Sequence, residues 1–177
     1  MILIPVFVLV FFLTVIPYRF AISAGIFAIA AITDFLDGKI ARKYNLVTDF
    51  GKFLDPIADK VLVLTALVIM LAKSGEVTIF PWYASIGVAV ILARELTISG
   101  FRMLAASKGK VLSADWSGKI KAFIQDVSVV VILVSVDLPL DGILYYVGLV
   151  LFGIAVLLTV YSGFEYIIKN RKVIESK

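Results

Sequence analysis

The chain alternates between long apolar runs and short polar breaks, and the apolar runs are too long and too uniform to be the faces of ordinary amphipathic helices. Six apolar segments emerge, at residues 2–16, 19–42, 51–71, 81–106, 118–136 and 143–168. Most approach the ~20 residues that an α-helix needs to cross a bilayer. The first is bounded by Pro5 near its start, where proline is tolerated, and by Pro17 at its end; at ~15 residues it is short for a full span. The second ends in a polar connection, 44–50, in which Asn45, Thr48 and Asp49 are turn and cap formers. In the third, Pro56 follows Asp55 and admits two geometries: a helix that begins there, or one that begins near Gly51 and kinks. The second geometry is preferred, because Gly51, Asp55 and Asp59 then form one i, i+4 stripe. Residues 73–78 read as a polar loop, and Pro81-Trp82-Tyr83 as a helix start with aromatic anchors at the membrane interface. A Lys- and Gly-rich loop (107–117), a turn (137–142) and a basic tail starting at Lys169 separate and close the remaining spans.

Composition sharpens this into an all-α integral membrane protein of six transmembrane helices, forming one domain over residues 1–177. The chain is 62% hydrophobic and only 17% charged, where soluble domains carry about 25% charged residues, and the mean hydropathy is +1.07. There are no cysteines and no histidines. Disulfides are therefore excluded, and a general base has to be a carboxylate, a lysine or a tyrosine. The apolar N-terminus has neither a basic stretch before it nor a clear small-residue cleavage site, so it reads as a spanning helix and not as a signal peptide.

The net charge of +4 matters less than its placement. Lys39, Arg42, Lys43 and Lys52 flank the break after the second span. Arg102, Lys108, Lys110, Lys119 and Lys121 flank the break after the fourth, and Lys169, Arg171, Lys172 and Lys177 form the tail. Arg19 and Lys73 fall on the other side. The positive-inside rule therefore puts both termini and the carboxylate cluster on the cytoplasmic face of the membrane.

Candidate chemistry lies on that same face. Asp34 and Asp37, and Asp55 and Asp59, are two pairs at helical spacing on adjoining segments, and a short turn between antiparallel helices lets all four converge. Four uncompensated negative charges at a membrane are costly, and oxygen-only ligands suit Mg²⁺ or a similar hard divalent ion. Two such ions bridged by carboxylates clamp a phosphoryl group or diphosphate during in-line displacement. Gly38 and Ala41 leave the neighbouring helix face free of bulk, Arg42 suits phosphate, and one carboxylate not consumed by metal is placed to take a proton from an attacking hydroxyl. Arg94, inside the fourth span, needs an anion; Glu95 is not an obvious partner, since adjacent helix residues point about 100° apart. Arg102, Lys119 and Lys121 sit where a small dianionic phosphate would enter. Asp126, Asp137 and Asp141 read as surface or turn residues.

The arrangement Asp34-x2-Asp37-Gly38-x2-Ala41-Arg42-x8-Gly51-x3-Asp55-x3-Asp59 resembles the full signature of the CDP-alcohol phosphotransferases. That resemblance implies a six-helix membrane fold, a homodimer, and a polar cavity open to the cytoplasm. It implies that Asp34, Asp37 and Asp55 hold metal and the CDP diphosphate, and that Asp59 touches metal and is the general base. Gly38, Ala41, Arg42, Thr48 and Gly51 then complete the CDP-diacylglycerol site, with two Mg²⁺ (or Mn²⁺) ions as cofactors. Further stretches (Asn45 to Thr48, Ala93 to Arg102, Gly118 to Lys121, Tyr161 to Tyr166) are similar to the branch of the family whose acceptor is sn-glycerol 3-phosphate. They imply an acceptor site at Arg94, Arg102, Lys119 and Lys121, and release of CMP. Two departures stand out: the sequence opens inside the first apolar span, where the resemblance leads one to expect a polar amphipathic segment before it, and Ala122 stands where Thr often follows Gly-Lys-x-Lys. Within the family the alternative acceptors are inositol phosphate and phosphatidylglycerol. From a different class, the alternative is an ion-coupled transporter, because intramembrane carboxylates and an arginine also mark ion paths; the charges here gather at one membrane face and not at the midplane, which weighs against it.

Overall fold

The computed structural model describes the backbone of residues 3–43, 49–75, 77–107, 116–138 and 142–170, and the side chains of these except at 35, 37–43, 49–59, 73 and 74. Among the described residues there are six helices: α1 (Leu3–Phe12), α2 (Arg19–Lys43), α3 (Asp49–Leu71), α4 (Ala84–Ser107), α5 (Trp116–Asp137) and α6 (Ile143–Asn170). The all-helical expectation holds, and five of the six helices fall within a few residues of the predicted bounds.

Two segments differ from expectation. α1 stops at Phe12 and not at residue 16. The β-branched run Thr14-Val15-Ile16 disfavours helix, and the residue before Pro17 is pushed out of the α region. The chain then turns through Tyr18, whose φ of 53° is left-handed, into α2. The predicted polar loop at 73–78 contains a two-rung antiparallel ribbon, β1 (Lys73–Ser74) with β2 (Val77–Thr78). Its turn uses Gly75 at φ +63°, a conformation that a side chain would strain.

α3 runs unbroken through Pro56, so Asp55 and Asp59 sit on one continuous helix, as the preferred sequence geometry required. α2 packs on α1, α3 and α5; α4 packs on α3 and α6; and α5 packs on α6. Phe7, Phe11, Phe20 and Phe27 interlock α1 with α2, with ring centroids 5.3–6.3 Å apart. α5 and α6 approach so closely at Gly148 that a Cβ there would lie 2.5 Å from Ile132 Cγ1.

α4 and α6 are each long and apolar enough to cross a membrane; α1 is a shorter apolar helix, and α3 is apolar from Lys60 to Leu71. α6 exposes Tyr146, Val150, Leu157, Tyr161 and Phe164 along its length. Such a continuous apolar surface suits lipid better than water. Buried hydroxyls are matched inside their own helices: Ser23 donates to Arg19 O, Ser128 to Gln125 O, Ser135 to Ile132 O and Thr159 to Ala155 O, each at 2.6–2.7 Å. No polar partner outside the helix is then needed.

Asp137, expected to be a surface or turn residue, instead has a tertiary role. Its Oδ2 accepts a hydrogen bond from the backbone N–H of Ala21 at 2.8 Å, capping the first turn of α2 from the end of α5. A carboxylate there also meets the positive end of the helix dipole. Asp137→Ala is expected to cost about 1 kcal/mol, read as a lower unfolding temperature in detergent; an unchanged temperature would show that the cap is dispensable. Asp141 lies outside the described residues.

Candidate active site

Helices α2 and α3 follow each other in the chain and pack against each other. Asp34 and Asp37 lie in α2 three residues apart, and Asp55 and Asp59 lie in α3 four residues apart, each pair on helical backbone. Asp34 is partly buried. The side chains of Asp37, Gly38, Ala41, Arg42, Gly51, Asp55 and Asp59, and Thr48 entirely, lie outside the described residues. Among the described residues no three acidic side chains cluster; of the four aspartates, that description includes only Asp34.

Lys60, the residue after Asp59 in α3, belongs to a polar cluster buried between helices. Glu95 of α4 is only 6% exposed, yet it is ionically bound on three sides. Lys121 Nζ of α5 reaches its Oε1 at 2.6 Å, Arg94 Nη1 reaches the same oxygen at 2.9 Å, and Lys60 Nζ of α3 reaches Oε2 at 3.3 Å. Lys60 also bonds Ser99 Oγ and reaches the Glu95 carbonyl at 3.4 Å. Arg94 extends its Nη2 to Ser162 Oγ of α6 at 3.1 Å. Its path runs beside Gly163 and Gly118: a Cβ on Gly163 would lie 3.1 Å from Arg94 Cγ, and one on Gly118 would lie 3.7 Å from Arg94 Nη2. Three helices therefore meet on one carboxylate, α6 joins through Arg94 and Ser162, and the three cations and one carboxylate carry two positive charges in excess.

This corrects the expectation that Arg94 and Glu95 ignore each other. Their Cβ directions do diverge, but the arginine stem is long enough to fold its guanidinium back onto its neighbour. Of the four predicted acceptor residues, the structure brings Arg94 and Lys121 together through Glu95. Lys121 is itself 4% exposed and so sits inside the bundle, not at an open mouth. Arg102 lies two turns further along α4; its Nε reaches the Tyr166 hydroxyl at 3.3 Å and its guanidinium sits 5.4 Å from the Tyr166 ring centroid. Lys119 is exposed and sits over the Trp116 ring, 5.6 Å from its centroid. Ser117 donates to Glu165 Oε2 at 2.8 Å, tying the start of α5 to α6.

Sequence reasoning missed Glu95 as the hub, and Lys60 and Ser99 as partners. A signal was present: Lys60 is the last charge before a long apolar run, and a charge entering such a run has to be paired.

The fold is an all-helical bundle that buries a charged cluster between its helices, and two of those helices are long and apolar enough to cross a membrane. The chain belongs to the CDP-alcohol phosphatidyltransferase family, whose sequence model matches residues 1–161. It is 39% identical over 161 residues to the CDP-diacylglycerol–glycerol-3-phosphate 3-phosphatidyltransferase of Bacillus subtilis (strain 168), covering 91% of this chain and 79% of that protein. It is 40% identical over 168 residues to the protein of the same name from Escherichia coli (strain K12), covering 94% of this chain and 87% of that one.

Proposed function

We propose that this chain transfers the phosphatidyl group of CDP-diacylglycerol to sn-glycerol 3-phosphate, giving phosphatidylglycerophosphate and CMP. The observation that carries the reading is the junction at residues 59 and 60 of α3: the last aspartate of the family signature is followed directly by Lys60, which is anchored in the Glu95 cluster. Lys60, Arg94 and Lys121 against the single Glu95 carboxylate leave this buried group with two surplus positive charges, the complement of a dianionic phosphate ester.

The donor set fits a hard divalent ion, being four carboxylates at spacings of three and four on two packed helices. Asp34, Asp37, Asp55 and Asp59 would hold Mg²⁺ or Mn²⁺, as two ions, whose charge would neutralise the diphosphate and the departing CMP. Gly38, Ala41, Arg42, Thr48 and Gly51 would receive the cytidine and diphosphate. Arg94, Lys60 and Lys121 would hold the acceptor phosphate, with Arg102 and Lys119 drawing it in from outside. Asp59 would remove the proton from the acceptor's primary hydroxyl. That oxygen bonds the phosphorus bearing the diacylglycerol, and the phosphorus–oxygen bond to CMP breaks. We place all six helices across or within a bacterial inner membrane, as a single domain that forms a homodimer, with the site on the cytoplasmic side, on the strength of the basic residues at 39–52 and 102–121.

The test is CMP release by purified protein in detergent from CDP-diacylglycerol and a panel of acceptors. Glycerol 3-phosphate is expected to support turnover, and inositol phosphate and phosphatidylglycerol are not. Chelation by EDTA is expected to abolish it and Mg²⁺ or Mn²⁺ to restore it. No CMP with any acceptor, or ion uptake into proteoliposomes without CMP, would overturn the reading.

A further inference from the structure

Between Ser162 and Tyr166, α6 contributes no cation, yet this one turn holds both arginines of α4. Ser162 and Tyr166 are each 2% exposed and, four residues apart, share one face of α6. The Ser162 hydroxyl reaches Thr159 O of its own helix at 3.3 Å and accepts from Arg94 Nη2 at 3.1 Å. The Tyr166 hydroxyl accepts from Arg102 Nε at 3.3 Å, and its ring centroid lies 5.4 Å from that guanidinium. Gly163 lets the Arg94 stem run against the α6 backbone, where a Cβ would come within 3.1 Å of Arg94 Cγ.

The effect is convergence. Arg94 and Arg102 leave α4 two turns apart, about 12 Å along its axis, but α6 receives them at positions one turn apart, about 6 Å. Arg102, like Arg94, is close enough to repel Lys60, so both arginines belong to one positive region. Contacts at Nε and across the ring face fix the plane of the Arg102 guanidinium, and they are compatible with its two terminal nitrogens meeting a phosphate side by side. Packing alone does not call for this chemistry. Tyr166 sits among Ile98, Phe101 and Ala105, where phenylalanine would serve as well, and a buried phenol costs stability unless its hydroxyl is bonded.

Resting on the proposed function, we infer that Ser162 and Tyr166 are positioning residues for the acceptor, orienting Arg94 and Arg102 to meet its phosphate. Neither touches the substrate. Arginine stems are flexible, and holding the guanidinium groups in place before the ligand arrives removes an ordering cost from binding.

The experiment follows CMP release by Ser162→Ala and Tyr166→Phe, each of which deletes one hydroxyl and keeps the packing. In each, the KM for glycerol 3-phosphate is expected to rise roughly 3–10-fold, the effect of one lost hydrogen bond, while kcat and the KM for CDP-diacylglycerol stay at the wild-type level. Tyr166→Leu, which also takes the ring from beside Arg102, is expected to raise the acceptor KM further. In an Arg102→Met background, Tyr166→Phe is expected to change nothing more, because the group it orients is gone. An acceptor KM that stays at wild type in both single variants overturns the inference. So does a fall in kcat with both KM values moving together, the result of a mere brace between α4 and α6, and so does an effect of Tyr166→Phe as large without Arg102 as with it. The unfolding temperature in detergent shows which variants are folded, and if one is not, the other decides. CMP release by wild type with glycerol 3-phosphate tests the transferase reading itself, whereas the split between the two KM values tests Ser162 and Tyr166, so the two failures are told apart.

Discussion

Asp59→Asn is expected to lower turnover by ~10²–10⁴-fold, the usual contribution of a positioned general base, while CDP-diacylglycerol binding is largely kept. The argument starts with α3. The helix runs without a break from Asp49 to Leu71, so the turn carrying Asp59 is rigidly continuous with the turn carrying Lys60. Lys60 is held from outside α3, by Glu95 Oε2 and by Ser99, which pins this stretch of α3 against α4. Asp59 is therefore presented from a fixed backbone, as a group that must meet a reacting hydroxyl requires. Asparagine has nearly the same shape and keeps one oxygen as a ligand, but it has no basic oxygen with which to take a proton. The two functions separate in the measurement: CMP release reports proton abstraction, and the thermal shift produced by CDP-diacylglycerol reports binding. Turnover equal to wild type would refute the base assignment, and loss of binding together with turnover would make Asp59 primarily a ligand. Asp55→Asn is the natural contrast, since it removes charge from the diphosphate side and is expected to weaken donor binding as well as rate.

What could be read from the chain was what is local in it. The four aspartates stood out because their spacing, three and four, is the period of a helix and needs no knowledge of the fold. The helix ends were legible because Pro17, Pro81 and the polar breaks interrupt apolar runs that have no other interruption. α1 was overestimated because apolarity was weighed above the helix-disfavouring Thr14-Val15-Ile16-Pro17 sequence. The Glu95 hub was not legible in the same way. Lys60, Glu95 and Lys121 are separated by 35 and 26 residues, and only the packing of α3, α4 and α5 brings them together. Arg94 was anticipated to need an anion, correctly in principle, but the anion already supplied by its neighbour was discounted by a rule about Cβ directions that a long, flexible side chain evades. Asp137 was misread for the same tertiary reason: its partner, Ala21, is 116 residues away. The family of the chain depends on local motifs, and so it could be recognised before the fold was known.

Glu95→Gln is expected to be the most destabilising single change in the described part of the protein. Its carboxylate is 6% exposed and holds Lys121 at 2.6 Å, Arg94 at 2.9 Å and Lys60 at 3.3 Å. The amide keeps the volume but removes the charge that three neighbouring cations share. Breaking a buried ion pair by removing one partner costs about 3–5 kcal/mol, and here one partner serves three. Arg94 still has Ser162 and Lys60 still has Ser99, but neutral hydroxyls do not offset mutual repulsion. The expected result is a large drop in unfolding temperature in detergent. A second consequence separates an anion site from a structural knot. If the cluster is built to accept a dianion, inorganic phosphate supplies the missing negative charge, and a ligand that binds only the folded state stabilises it in proportion to its occupancy. Millimolar phosphate is thus expected to raise the unfolding temperature of Glu95→Gln more than that of wild type, where Glu95 already neutralises part of the cluster. Chloride at the same ionic strength is expected to do less, because it cannot reach three cations at once through several oxygens. A variant as stable as wild type would remove the central role given to Glu95, and a destabilised variant indifferent to phosphate would leave the ion cluster as a brace between helices and move the acceptor phosphate elsewhere.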